Sequence, residues 1–389
     1  MASHLSPPGS NAERSRTYNR GLVLGHLHRE GEAGRAEIAR ASGLSIQAVS
    51  NIIADLLDEG WVAETGKRAG QRGLPAVTYA IRCGAHTALG VEIRPDAVLA
   101  AWIDLGGPVL HKERIALPSA RPEDVLPVIA GLPSLGEVAG VDHKTVIGAG
   151  VVMPGPVGQT GLSDRATQLP GWGKIAAGPV LADALGVAIK LENDANSAAM
   201  AERILGAAQG YNTFACLYFG TGLGLGIVDG GKVYEGTFGN AGEIGHIPVF
   251  SDGGRFPLEA LVSRVSLVRA LASDGIRATT VDDLAAQFER RPKALEAWLD
   301  TAVAGLGQAV HLLENMLDPE TIVITGALPA TLLEELVARV ELPDLSVSNR
   351  ADRVGPRLVA GQAGRMAATL GAAALVVNSA LSPRLVDAQ

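Results

Sequence analysis

Between Arg35 and Gly60 the apolar positions fall into two short runs at helical spacing. Ile38 and Ala39 mark the inner face of the first. Val49, Ile52, Ile53, Leu56 and Leu57 mark that of the second, with Gly43 at the turn between them and Ser45 at an N-cap position. Leu22, Val23, Leu24 and Leu27 predict a preceding helix, running from about Arg16 toward Gly31. Trp61 to Ala63 reads as a strand, Lys67 to Gly73 as a glycine-rich tip, and Ala76 to Ile81 as the returning strand. This is the spacing of a helix-turn-helix with a β wing. Residues 1–12 are rich in Ser, Pro and Asn and are expected to be disordered.

Past Cys83 the pattern changes to strands at His86 to Ile93, Ala97 to Asp104 and Val109 to Leu117. A helix-rich segment around Glu123 to Ala139 is expected to be interrupted by Pro127 and Pro133, and a buried strand follows over Val146 to Met153. The theme returns with strands at Thr213 to Phe219, Leu225 to Asp229, Lys232 to Tyr234 and Thr321 to Ile324. Helices at Ala294 to Leu317, Ala330 to Val340 and Arg365 to Leu381 would cover them. Alternation of this kind implies an α/β sheet.

The chemistry concentrates between Tyr218 and His246. Gly220-Thr221-Gly222-Leu223-Gly224 leaves successive backbone N–H groups uncovered beside a hydroxyl, which suits an oxyanion, although a tight turn between buried strands would read the same way. Glu243 and His246 stand three apart among glycines. That favours convergent polar side chains over core packing, and a hydroxyl-rich ligand fits them.

Charge separates the two parts. The 389-residue chain carries a formal −8, but residues 1–82 carry +2 and the remainder −10. A positive head on an acidic body points to nucleic acid at the head alone. Gln47, Ser50 and Asn51 are placed to meet base edges; Ser45, Lys67, Arg68 and Arg72 are placed to meet phosphates or, for the arginines, a minor groove. Two cysteines, Cys83 and Cys216, far apart and in apolar surroundings, indicate neither a disulfide framework nor a cysteine metal site. With no signal-peptide core and no run of about 18 apolar residues, the expected location is the cytoplasm, without a membrane partner.

The winged head followed by these motifs resembles the repressor branch of the ROK family, the group of repressors, open reading frames and sugar kinases. The resemblance implies a two-lobed actin-like, ribonuclease-H-like ATPase fold behind the winged helix-turn-helix. The implied boundaries are 13–82 for the DNA-binding domain and 83–389 for the sugar-binding body, with lobe one at 83–192 plus 362–381 and lobe two at 193–361. Glu192-Asn193-Asp194-Ala195-Asn196 resembles the family's Asn-Asp-Ala-Asn motif, whose aspartate is the general base in the kinases. The alternative for Asp194 is a helix cap. By the same resemblance Asn193, Asp194, Glu243, His246 and Glu259 bind sugar, and Leu169-Pro170-Gly171-Trp172 lines its apolar face.

Two departures matter. Where the kinases have a glycine-glycine-threonine-lysine phosphate loop, this chain has Arg94-Pro95-Asp96, with fewer donors and an added carboxylate. Asp194 then becomes a vestigial base and no residue is catalytic, although an arginine at position 94 could by itself hold a phosphate. The cysteines of the family's zinc loop are absent from Ser251 to Pro257, so no metal or other cofactor is expected. The expectation is a sugar-responsive repressor, homodimeric or homotetrameric, with operator DNA and a monosaccharide effector as partners. The alternatives are an ATP-dependent sugar kinase carrying a DNA-binding head, and a regulator answering to a protein or a phosphosugar.

Overall fold

A computed structural model describes residues 10–68, 76–153, 169–251 and 253–381. The head opens on helix α1 (Ser10–Glu30), so residues 10–12, expected to be disordered, are helical, and the helix starts six residues before Arg16. Ala12-Glu13-Arg14 are good helix formers, which outweighs the Ser/Pro bias further upstream. A two-residue strand β1 (Ala33–Gly34) leads into α2 (Arg35–Ser42), which ends on Gly43 in the left-handed region, φ 71°. Ser45 caps α3 (Ile46–Asp58) by accepting from the Ala48 N–H at 3.1 Å. Val49, Ile53 and Leu56 are fully buried, and Ile52 and Leu57 pack partly against the same cluster. The wing consists of β2 (Val62–Arg68) and β3 (Ala76–Ile81), with β1 paired to the outer side of β3.

The body contains two five-stranded sheets of matching order. The first is built from β4 (Thr87–Arg94), β5 (Ala97–Asp104), β6 (Val109–Ala116), β7 (Val146–Val152) and β8 (Ile189–Glu192), in the order β6-β5-β4-β7-β8. Helix α4 (Pro122–Val138) runs on through Pro127 and Pro133, and α5 (Ala177–Leu185) joins it on the same side of the sheet. Helix α6 (Asp194–Leu205) then leads to the second sheet. That sheet contains β9 (Phe214–Phe219), β10 (Leu223–Asp229), β11 (Lys232–Val233), β14 (Thr321–Gly326) and β15 (Leu358–Ala360), in the order β11-β10-β9-β14-β15. Between β11 and β14 lie a separate hairpin, β12 (Pro248–Ser251) with β13 (Gly254–Pro257), and helices α7 (Leu258–Leu261), α8 (Arg264–Ser273), α9 (Val281–Arg290) and α10 (Lys293–Leu317). Helix α11 (Ala330–Arg339) precedes β15, and α12 (Ala367–Leu381) closes the described chain. The hairpin, α8, α9 and β15 were not expected from periodicity. Cys83 is exposed, contrary to the apolar setting its neighbours suggested, while Cys216 is buried.

Helix α12 is apolar nearly all round because it is enclosed. It packs on α6 and on β4, β5 and β7, and its last residue reaches the head, where a Cβ on Gly25 of α1 would stand 2.7 Å from the Leu381 carbonyl. Close approach depends on missing side chains. A Cβ on Gly371 would stand 1.6 Å from the Ser197 carbonyl oxygen of α6, and one on Gly150 of β7 would stand 2.1 Å from the Ala372 carbonyl oxygen. Both obstacles are backbone atoms and cannot swing aside. The head is fixed to the body by a second contact, in which the Trp61 and His86 rings stack at 4.3 Å and the Arg20 guanidinium lies 5.2 Å from the Trp61 ring centre. Burial holds the His86 imidazole below its ordinary pKa, which keeps it neutral in that stack. Gly371→Ala is expected to force α6 and α12 apart and cost about 2–4 kcal/mol of stability, read as a fall in the urea midpoint.

Candidate functional site

The site forms where the N-terminus of α6 meets the β9–β10 turn. Asn193 caps α6 by accepting from the Asn196 N–H at 2.7 Å, so the capping role weighed for Asp194 belongs to its neighbour. Asp194 is left to face the cleft between the lobes, with Oδ1 held by the Ala195 N–H at 2.9 Å. The glycines of the turn give the carboxylates room. A Cβ on Gly220 would stand 2.8 Å from Asp194 Oδ2, and one on Gly222 would stand 2.6 Å from Glu259 Oε2. Glu259 belongs to α7, and His246 links it to Glu243: His246 Nδ1 is 3.8 Å from Glu259 Oε1 and His246 Nε2 is 3.6 Å from Glu243 Oε2. Asp194, Glu243, His246 and Glu259 therefore gather around one glycine turn. Asn193 stands beside them with its side-chain oxygen already used.

Burial of Asp194, helped by the nearby Glu92 carboxylate, pushes its pKa up to about 6. Burial also raises Glu243, with Glu259 adding to the shift and His246 opposing it. Ionised carboxylates accept hydrogen bonds and do not donate them, so groups of this kind suit a ligand that donates.

The β4–β5 turn differs from the sequence-based picture. Arg94 pairs with Ala97, so Pro95 and Asp96 form a two-residue hairpin turn. Asp96 is engaged by the neighbouring strand β6, where its Oδ2 accepts from Arg114 Nη2 at 2.6 Å. Arg94 takes the cleft side. Its Nε donates to Glu92 Oε1 at 2.6 Å and its Nη2 to Glu92 Oε2 at 3.0 Å and to the Arg365 carbonyl at 3.1 Å. Glu92 is 5% exposed and also accepts from the Thr369 hydroxyl at 2.7 Å. Three of the five N–H groups of this guanidinium are thus used within the protein, on Glu92 and the Arg365 carbonyl. Arg264, at the start of α8, lines the same cleft and donates to the Thr279 carbonyl. No motif pointed to Arg264, because its neighbours in space come from three separate strands and turns.

Trp172 is a correction. It was expected to wall the sugar, but it is 5% exposed, belongs to the core of the first sheet, and donates its indole N–H to the Ala120 carbonyl at 2.8 Å. Leu169 is buried in the same cluster. The loop's glycine signature and its apolar content are served by packing.

On the head, Gln47 and Asn51 are exposed on α3 and joined by a hydrogen bond from Gln47 Nε2 to Asn51 Oδ1 of 3.0 Å. Ser50 is half-buried, and Ser45 is exposed with its oxygen engaged as the cap. Lys67 is exposed at the far end of β2. Arg68 is tied back to the head, 2.7 Å from Glu32 and 3.7 Å from Glu37, so the free cation expected there is a paired one. Arg72 lies outside the described residues.

With this geometry the protein falls into a defined class: a winged helix-turn-helix joined to a two-lobed α/β body. The chain belongs to the ROK family, whose model matches residues 88–379, and a winged helix-turn-helix DNA-binding model matches residues 16–63. The xylose repressor of Bacillus spizizenii is 25% identical over 269 residues, covering 65% of this chain and 67% of that one. The crystal structure of a ROK family transcriptional regulator, a homologue of the E. coli MLC protein, shares the fold with a TM-score of 0.73 at 22% identity, over 95% of this chain and 98% of that one. A ROK hexokinase from Thermus thermophilus matches with a TM-score of 0.57 and 29% identity over 74% of this chain and 97% of its own.

Asp194 offers a direct check. Because its folded pKa lies above the ordinary 3.8, folding favours the protonated form. Its contribution to stability is full below about pH 4 and is lost as the pH rises toward 6. In Asp194→Asn that component of the pH–stability curve should vanish, and carbon-detected NMR of the wild type should place the Asp194 midpoint near 6. A midpoint at the ordinary value would mean that water reaches the carboxyl freely.

Proposed function

We propose that this protein is a sugar-responsive transcriptional regulator, a repressor of carbohydrate-metabolism genes, that binds a monosaccharide in its cleft without phosphorylating it. The observation that supports the reading is the placing of Asp194 and Glu259 at one glycine turn, with His246 and Glu243 beside Glu259, while Arg94 on the cleft side is paired with Glu92. Asp194, Glu243, His246 and Glu259 supply the hydrogen bonds, with Asn193 holding the helix that aims Asp194. In a kinase an aspartate in this place would take a hydroxyl proton as phosphate arrives. Here the carboxylate accepts that hydroxyl's hydrogen bond and the event ends there. Three carboxylates around the recess also favour a neutral sugar over its phosphate ester, since like charges a few ångströms apart in a partly dry site repel by several kcal/mol.

The domain limits that follow are 13–82 for the head and 83–389 for the body, with the lobes meeting between β8, ending at Glu192, and α6, beginning at Asp194. Operator DNA would be read by Gln47, Ser50 and Asn51, with Ser45, Lys67 and Arg72 near the backbone and Arg68 holding the wing to α2. Paired heads in a cytoplasmic homodimer or homotetramer fit a two-fold operator. Ligation at Asp194 bears on α6, α6 on α12, and α12 on α1, so sugar occupancy has a short packed route to the head.

The test is a thermal-shift screen of neutral monosaccharides, xylose among them, with and without Mg-ATP. One sugar should stabilise the protein, nucleotide should add nothing, and no sugar phosphate should form. Asp194→Ala and His246→Ala should each weaken that sugar about 10- to 100-fold, the loss of one hydrogen bond to a charged group, while leaving DNA binding intact. Turnover of sugar to its phosphate ester by the wild type would establish the kinase reading instead.

A further inference from the structure

Ile46 is the first residue of α3 and is 61% exposed, whereas Val49, Ile53 and Leu56 of the same helix are fully buried. An exposed β-branched residue at a helix start is favoured neither by propensity nor by packing. Its neighbours on the outer face are Gln47, Ser50, Asn51 and Ala54. The hydrogen bond from Gln47 to Asn51 fixes the Gln47 amide and leaves it an acceptor oxygen and a second N–H. None of the 13 residues of α3 is Lys or Arg, the side chains that most often bind the two guanine acceptors in a major groove.

Resting on the reading of α3 as the helix that enters DNA, we propose that it selects A·T pairs, with Ile46 packed against a thymine C5-methyl group and Gln47 paired to the N6 and N7 of a neighbouring adenine. The methyl group is the one apolar feature on a base edge in the major groove. It gives an exposed isoleucine somewhere to bury surface on binding. Asn51 then acts as a positioning residue, holding the Gln47 amide in the orientation that offers an acceptor and a donor side by side.

The full-length protein would be used to select duplexes from a random library. In the enriched duplex each thymine would be replaced singly by deoxyuridine, which keeps the base pair and removes only the methyl group. At one position per half-site wild-type binding should weaken about fourfold, the worth of one buried methyl group. Ile46→Ala should bind thymine and deoxyuridine duplexes equally at that position, and Ile46→Val should keep part of the difference. Equal sensitivity to the methyl group in wild type and Ile46→Ala would overturn the assignment, as would enrichment of G·C pairs under α3. If no duplex is enriched at all, the DNA-binding reading of the head falls and the Ile46 proposal with it.

Discussion

The crossing of α6 and α12 is the constraint on which the rest of the molecule depends. Where Gly371 meets the Ser197 carbonyl there is no space for a side chain of any kind. The first turn of α6 carries Asp194 into the cleft and the far end of α12 lies under α1 of the head. Two helices in backbone contact cannot slide by fractions of a side chain; they move together or stay put. The Trp61–His86 stack adds a second fixed point between head and body. The head is therefore not tethered by a loose linker, and its orientation is set by the same packing that sets the cleft.

Electrostatics follows from that packing. Glu92 and Asp194 are brought toward each other in a recess partly shielded from water, and the cost is met in two ways: Arg94 closes on Glu92, and Asp194 keeps its proton to an unusually high pH. Elsewhere the body uses the same device for structure alone. Glu202, with no exposed surface, accepts from the Thr325 hydroxyl and from the backbone of Ala207, Gln362 and Ala363. Glu314 is clasped by Arg357 in a nearly buried pair. Buried carboxylates are thus distributed between holding the chain and facing the cleft, and only their partners distinguish the two uses.

Much of the architecture is readable from local pattern. The head's helices, the Ser45 cap, the Gly43 turn and the paired strands from β4 to β6 all depend on residues close together in the chain. The Gly220–Gly224 turn and the Glu243–His246 pair stood out because glycines beside convergent polar groups have little reason to occur in a core. What escaped depends on partners far away. Arg94 reaches Glu92 two residues off but also the Arg365 carbonyl, 271 residues along the chain. Arg68 meets Glu32 across the head, and Trp172 finds the Ala120 carbonyl. Side-chain type restricts what a group can bond to; it does not choose among candidates that only the fold brings near. Ile46 was passed over for a simpler reason: helical periodicity identifies the residues that face inward and says little about an apolar one that does not.

The bond between Arg94 and Glu92 also bears on the history open to such a chain. Reversing Arg94 alone would strand a carboxylate that is 5% exposed, leaving only the Thr369 hydroxyl to hold it. Changing Glu92 alone would leave the guanidinium with the Arg365 carbonyl and no counter-charge. Pro95 would still deny the turn a donor in either case. A change at position 92 or 94 alone therefore carries a folding penalty that a change at both together avoids, so the two positions are bound to vary as a pair.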